Sequence, residues 1–130
     1  MAFTITVTSR LDFDEAVAAT REALSDEGFG VLTEIDLAAT LRAKTGAELP
    51  PFLILGACRP PLAEAAVKAD PAIATLLPCS VVVRRQEEQT VIEAMDPGLI
   101  AQVTGQPALE EVAADAAGRI GRALAAVAAK

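Results

Sequence analysis

The chain has 130 residues, of which 52% are hydrophobic and 3% aromatic, and its formal net charge is −7. A chain of this length is expected to form one domain, covering residues 1–130. The negative charge argues against a nucleic-acid partner, because binding to the phosphate backbone requires a basic surface. Histidine is absent, which excludes Ser–His–Asp and Cys–His arrangements within one chain and removes the commonest general base.

The sequence also predicts the cellular location of the protein. No apolar run approaches the roughly 18 residues that a membrane span needs. The N-terminal residues MAFTITVTSR lack the basic and then apolar pattern of a signal segment. Two cysteines do not make a disulfide framework. We therefore expect a cytoplasmic protein with no membrane association and with reduced thiols.

The first third of the chain predicts two strands and two helices. Apolar residues alternate with threonines over residues 3–8, which is typical of a half-exposed strand. Asp12 and Glu15 are spaced as a capping box for the following helix, and Gly28 supplies its C-terminal stop. Residues 30–35 predict the second strand. Asp36 then caps a short helix over residues 37–44.

The central stretch begins with Phe52 to Cys58, an apolar run without alternation, which predicts a strand covered on both faces near the middle of the sheet. Gly56 interrupts this run, and a glycine inside a strand usually marks a bulge or the close approach of another backbone or a ligand. Pro60 and Pro61 suit the first turn of a short helix.

The remaining residues predict a hairpin and a long helix. Alternating residues at 79–85 and 90–95 flank a polar turn at 87–89, which is typical of two paired antiparallel strands. Pro107 opens the longest helix, which carries apolar residues at helical spacing towards the C-terminus.

Several motifs of the chain resemble the DUF302 family of small prokaryotic domains, whose molecular function is not established. They are GFGVLTEID at residues 28–36, ILGACRPPLA at 54–63, LLPC at 76–79 with the VVV that follows, and Asp96-Pro97. The resemblance implies an α+β two-layer sandwich in which a mainly antiparallel sheet of four or five strands carries helices on one face. This arrangement is similar to the TATA-binding-protein fold, β-α-β-β-β-β-α, with short inserted helices. Members are often dimeric.

Cys58 and Cys79 form the most unusual pair in the sequence. Each lies at a predicted strand end beside a proline or a helix start, and an antiparallel path would bring both to the same end of the sheet. Such thiols could form a reactive pair or half of a zinc or copper(I) site, with Glu93 or a second subunit completing the ligand set. Alternatively, both cysteines pack as small hydrophobic residues in the core.

Four carboxylates lie on or directly after predicted strands, namely Glu34, Asp36, Glu93 and Asp96. Paired carboxylates perform acid–base chemistry when their environments separate their pKa values. The alternative is structural, because Asp36 and Asp96 are well placed as helix caps. Together with Gly56, these carboxylates define the predicted pocket.

Three classes of function remain open. The first, which we favour, is a binding module for a small molecule or soft metal near Cys58 and Cys79. The second is a structural domain that forms homodimers through an exposed face of its sheet. The third is a thiol-dependent enzyme, and the sequence identifies neither a catalytic residue nor a cofactor.

Overall fold

The structure is a computed structural model that describes residues 3–130. Met1 and Ala2, which belong to the N-terminal stretch analysed above for a signal segment, lie outside the described residues. The strands are β1 (Thr4–Ser9), β2 (Gly30–Asp36), β3 (Phe52–Cys58), β4 (Cys79–Gln86) and β5 (Gln89–Met95). The α-helices are α1 (Phe13–Asp26), α2 (Leu37–Thr45), α3 (Pro60–Ala69), α4 (Gly98–Thr104) and α5 (Glu110–Ala128). Short 3-10 turns at Pro71–Leu76 and Pro107–Leu109 follow α3 and precede α5.

The five strands form one sheet in the order β1-β5-β4-β3-β2, and every neighbouring pair is antiparallel. Strands β2 to β5 follow one another in space as they do in sequence, and β1 joins the far edge beside β5. The predicted α+β sandwich with an antiparallel sheet is therefore confirmed. The strand expected at residues 52–58 is β3, the fourth of the five strands, with a neighbour on each side. Its expected cover on both faces is wrong, because Leu55 and Ala57 lie in the buried core whereas Ile54 and Cys58 on the other face are only partly buried.

The core lies between one face of the sheet and the helices. Helices α1 and α5 pack against each other and on the sheet, and the capping box is present, with the Glu15 amide donating to Asp12 Oδ1 at 2.8 Å. Strands β3, β4 and β5 contribute Leu55, Val81 and Ile92, which are all completely buried. Burying one such side chain stabilises a fold by about 1.5–3 kcal/mol. The aliphatic core thus replaces the aromatic residues that the sequence lacks.

The opposite face of the sheet contributes no residue to the buried core cluster of the described chain, and we call it the open face. Because side chains alternate along a strand, the registers of the ladders identify its members. They are Thr4, Thr6 and Thr8 on β1; Val91, Glu93 and Met95 on β5; Ser80, Val82, Arg84 and Gln86 on β4; Phe52, Ile54, Gly56 and Cys58 on β3; and Thr33 and Ile35 on β2.

Gly28, the second residue after α1, has φ = 83°, a conformation that residues other than glycine rarely adopt. A Cβ atom at this position would also lie 2.7 Å from Nη1 of Arg59. We expect Gly28→Ala to lower the free energy of unfolding by about 1–3 kcal/mol. Gly46 provides the matched control, because it has a similar φ of 75° and no heavy atom within 4 Å of an added Cβ. Denaturant unfolding should show a larger loss for Gly28→Ala than for Gly46→Ala. Equal losses would mean that the Arg59 contact has no effect on stability.

Candidate functional site

The antiparallel path brings Cys58 and Cys79 to the same end of the sheet. Cys79 pairs with Ala57, the residue directly before Cys58 in β3. Adjacent positions in a strand point to opposite faces, so the Cys58 side chain belongs to the open face and the Cys79 side chain to the helix side. Cys58 is partly exposed and Cys79 is buried, and neither forms a disulfide. The two thiols are neighbours in the backbone but are not directed at a common point.

The environment of Cys79 suppresses its reactivity. Its side chain is part of the hydrophobic core. Burial raises the pKa of its thiol from 9.0 to about 11, and the nearby Cys58 adds to this effect. Because the thiolate is the reactive and metal-binding form, Cys79 has the properties of a core residue. Only Cys58 remains available for chemistry on the surface.

The predicted carboxylates do not converge. Asp36 and Asp96 follow β2 and β5, which run in opposite directions to opposite ends of the sheet. Asp36 Oδ1 accepts from the Ala39 amide at 2.9 Å, and Asp96 Oδ1 accepts from the Gly98 amide at 2.8 Å. Asp36 therefore has the capping role expected as its alternative. Asp96 instead closes a turn directly before α4, whose N-cap residue is Pro97 without a side-chain hydrogen bond. Glu34 lies on the edge strand and pairs with Arg21 of α1 at 3.1 Å.

Glu93 lies on the open face within a polar network that crosses three strands. Arg84 Nε donates to Glu93 Oε1 at 2.7 Å, and the two side chains are each 26% exposed. Thr6 Oγ1 donates to Glu93 Oε2 at 3.3 Å, and Arg84 also donates to Gln86 Oε1. This network holds the carboxylate in a fixed position near the middle of the open face.

Gly56 marks a close approach, as expected, but the approaching groups are side chains. Thr33 Oγ1 and Pro78 Cγ lie where the glycine lacks a Cβ atom. The irregularity in the ladder falls on the neighbouring strand, between Val31 and Thr33, and leaves Leu32 65% exposed. Thr33 and Pro78 therefore occupy the space above Gly56, and no room is left there for a ligand.

The open face contains a hollow of about 490 Å³ beside Glu93. We call it the hollow, and six of its lining residues are Phe3, Thr4, Ser80, Val82, Glu93 and Met95. Of these residues, only Glu93 was a predicted site residue. In the β4–β5 hairpin, Val82 lies directly opposite Glu93. The alternation of residues along the two strands could therefore have identified Ser80, Val82 and Met95 as neighbours of Glu93 on one face. The contribution of Phe3 depends on β1 pairing with β5, a non-local contact without a local sequence signal.

Two classes of feature are absent from the part of the chain that the structure describes. Residues 3–130 contain no group of three or more Cys, Asp or Glu side chains arranged to hold a metal ion. None of the helices in the same range combines the length and apolar character required to cross a membrane.

Comparison with known proteins identifies the family. The profile for the domain of unknown function DUF302 matches residues 5–127. A solved structure described as an uncharacterized conserved protein DUF302 from Bacillus stearothermophilus is 30% identical in sequence. It superposes with a TM-score of 0.89 over 98% of this chain and 99% of its own. The comparison with curated proteins finds no match. With its profile match and this shared fold, the chain belongs to the DUF302 family.

Proposed function

We propose that this protein is a self-associating domain in which two copies pack through their open faces. The observation that carries the proposal is the one-sided burial of the sheet. Among the described residues, Leu55, Val81 and Ile92 on the helix side belong to the buried core, whereas Ile54 and Val82 on the open face are only partly buried. Antiparallel sheets can leave one face in water, but such a face is normally polar. Here the open face mixes threonines with aliphatic residues, and Ile35 on this face is 46% exposed.

The charge distribution favours this face over the rest of the surface. Each chain carries a net charge of −7, so two copies repel each other at most orientations. The charged strand residues of the open face are Arg84 and Glu93, which neutralise each other in a 2.7 Å pair. Interface centres are depleted in charged residues. The open face thus offers two acidic chains a surface without net charge.

The aliphatic residues of the open face supply the attraction. In the row through the centre of the sheet, Val82 lies between Glu93 on β5 and Ile54 on β3, and Ile35 continues the row on β2 with 46% of its surface exposed. Removing such side chains from water contributes about 25 cal/mol per Å² of apolar area. A second copy would therefore bury apolar surface that the helices leave uncovered.

Substitution of Val82 by aspartate tests this proposal. We expect the unaltered protein to sediment at micromolar concentration with twice the 13.4 kDa mass of one chain. In Val82→Asp, two unpaired carboxylates would be buried at the interface centre, which should weaken association at least about 30-fold. Val103→Asp is the matched control, because Val103 is 69% exposed on α4, and it should leave the mass unchanged. Higher salt should strengthen the dimer by screening the repulsion between acidic chains. A mass of one chain that is independent of protein concentration would reject the proposal.

A binding module for a small molecule near the Cys58 end of the sheet is the second candidate. It is favoured by the hollow, which lies on the same face as Cys58 and includes Ser80, the residue after Cys79. Ligand pockets typically enclose about 300–1,000 Å³ and combine apolar walls with a few fixed polar groups. A soft-metal site using Cys58 would need ligands from a second copy, since Cys79 points to the other side of the sheet.

A further inference from the structure

The hollow combines three apolar walls with a carboxylate that is fixed by its neighbours. Phe3, Val82 and Met95 supply a ring, a branched aliphatic group and a thioether, and methionine in particular adapts to varied apolar shapes. Phe3 is 63% exposed, so its ring is available to a bound molecule. A ligand with an apolar body would remove this surface from water.

The charge of Glu93 is already compensated within the chain. Arg84 Nε lies 2.7 Å from Oε1, so a cationic ligand would have to compete with a guanidinium that is fixed in place. An anionic ligand would face the carboxylate directly. The balance of charge therefore favours an uncharged ligand.

The hydrogen-bonding capacity of Glu93 is only partly used. A carboxylate accepts about four hydrogen bonds and donates none. Among the described residues, Glu93 receives one from Arg84 and one from Thr6. The remaining capacity requires a donor, and Val82, opposite Glu93 in the ladder, and Met95 provide none. Thr4 and Ser80 also line the hollow, but the hydrogen bonds to Glu93 come from Arg84 and Thr6. A ligand that contacts Glu93 therefore binds best if it carries a hydroxyl or N–H group.

We propose that the hollow binds an uncharged molecule with an apolar body and a hydroxyl or N–H group that donates to Glu93. The volume of about 490 Å³ is within the range of small-molecule pockets. The hollow lies on the open face, so a second copy would enclose it only if the proposed dimer forms. The chemistry of its lining residues does not depend on the dimer.

A matched pair of probes tests the donor requirement. 2-Naphthol has an uncharged aromatic body with one hydroxyl donor, and 2-methoxynaphthalene has the same body without a donor. In fluorescence titrations we expect 2-naphthol to bind at least about tenfold more tightly, since hydrogen bonds to charged groups have that effect or more. The anion 2-naphthoate should bind more weakly than 2-naphthol. Equal affinities of the hydroxyl and methoxy probes, or no binding of 2-naphthol at millimolar concentration, would overturn the proposal.

Two variants locate the probe in the hollow. Ser80→Phe fills the hollow from an exposed position and should abolish binding of both probes, with thermal unfolding confirming that the variant is folded. Glu93→Gln keeps the shape but removes the charged acceptor, and should reduce the preference for 2-naphthol to less than threefold. Binding that is unchanged in Ser80→Phe would overturn the assignment.

The mass of the protein, measured on the same samples, separates this proposal from that of the dimer. A protein that stays monomeric yet binds 2-naphthol with the donor preference would reject the dimer and support the site. A dimer that binds neither probe would support the dimer and reject the ligand site.

Discussion

Raising the pH from 9 to 11 is expected to destabilise this protein by about 2 kcal/mol more than it destabilises a Cys79→Ala variant. The cause is the buried thiol of Cys79, whose pKa is raised from 9.0 to about 11, first by burial and then by Cys58. In the unfolded chain the thiol loses its proton near pH 9, while the native protein retains it up to about pH 11. The unfolded state therefore gains stability between these values. The contribution of Cys79 is fully present below pH 9 and is lost as the pH rises to 11.

Urea unfolding at several pH values between 8 and 11 measures this effect. Cys79→Ala should be less stable at every pH because it leaves a small cavity, but its stability should fall less steeply above pH 9. Cys58→Ala is the matched control, because it removes the partly exposed thiol and should retain most of the slope. If the three proteins show the same dependence on pH, Cys79 is not a buried thiol of raised pKa.

Local sequence patterns were sufficient to predict most of the fold. The Asp12 capping box, the stop at Gly28 and the alternation on either side of residues 87–89 each depend on contacts within a few residues. These patterns define the elements, and the short connections favour antiparallel neighbours. The position of β1 beside β5 was not predictable in this way, since it joins residues far apart in sequence.

The candidate site was predicted less completely than the fold, because the side chains that lie close together are determined by the arrangement of all five strands. The sequence placed Cys58 and Cys79 at one end of the sheet, in agreement with the register of β3 and β4. It could not state which face each thiol occupies, because a shift of one residue in register reverses every side chain. Glu34 and Glu93 illustrate the same limit, since one contacts α1 and the other lies on the open face.

Gly56→Ala is expected to lower the free energy of unfolding by about 1–3 kcal/mol, the usual effect of overpacking at a tightly filled position. An added Cβ would clash with Thr33 Oγ1 and lie 2.8 Å from Pro78 Cγ. Neither neighbour can withdraw freely, because Pro78 is a ring directly before β4 and Thr33 follows the irregular step in β2. The clash should therefore exceed the gain of about 0.5–1 kcal/mol that alanine normally brings over glycine inside a strand.

Gly30→Ala is the matched control, since Gly30 also lies in a strand but has no heavy atom within 4 Å of an added Cβ. Denaturant unfolding should show Gly30→Ala to be neutral or slightly stabilising. Adding Thr33→Ala to Gly56→Ala removes the closer of the two contacts and should restore about 1 kcal/mol, which a double-mutant cycle would report as coupling between the two positions. A Gly56→Ala variant at least as stable as the unaltered protein would contradict the tight packing of Thr33 and Pro78 over Gly56. The space above Gly56 would then be open to a ligand after all, as the sequence pattern of β3 allowed.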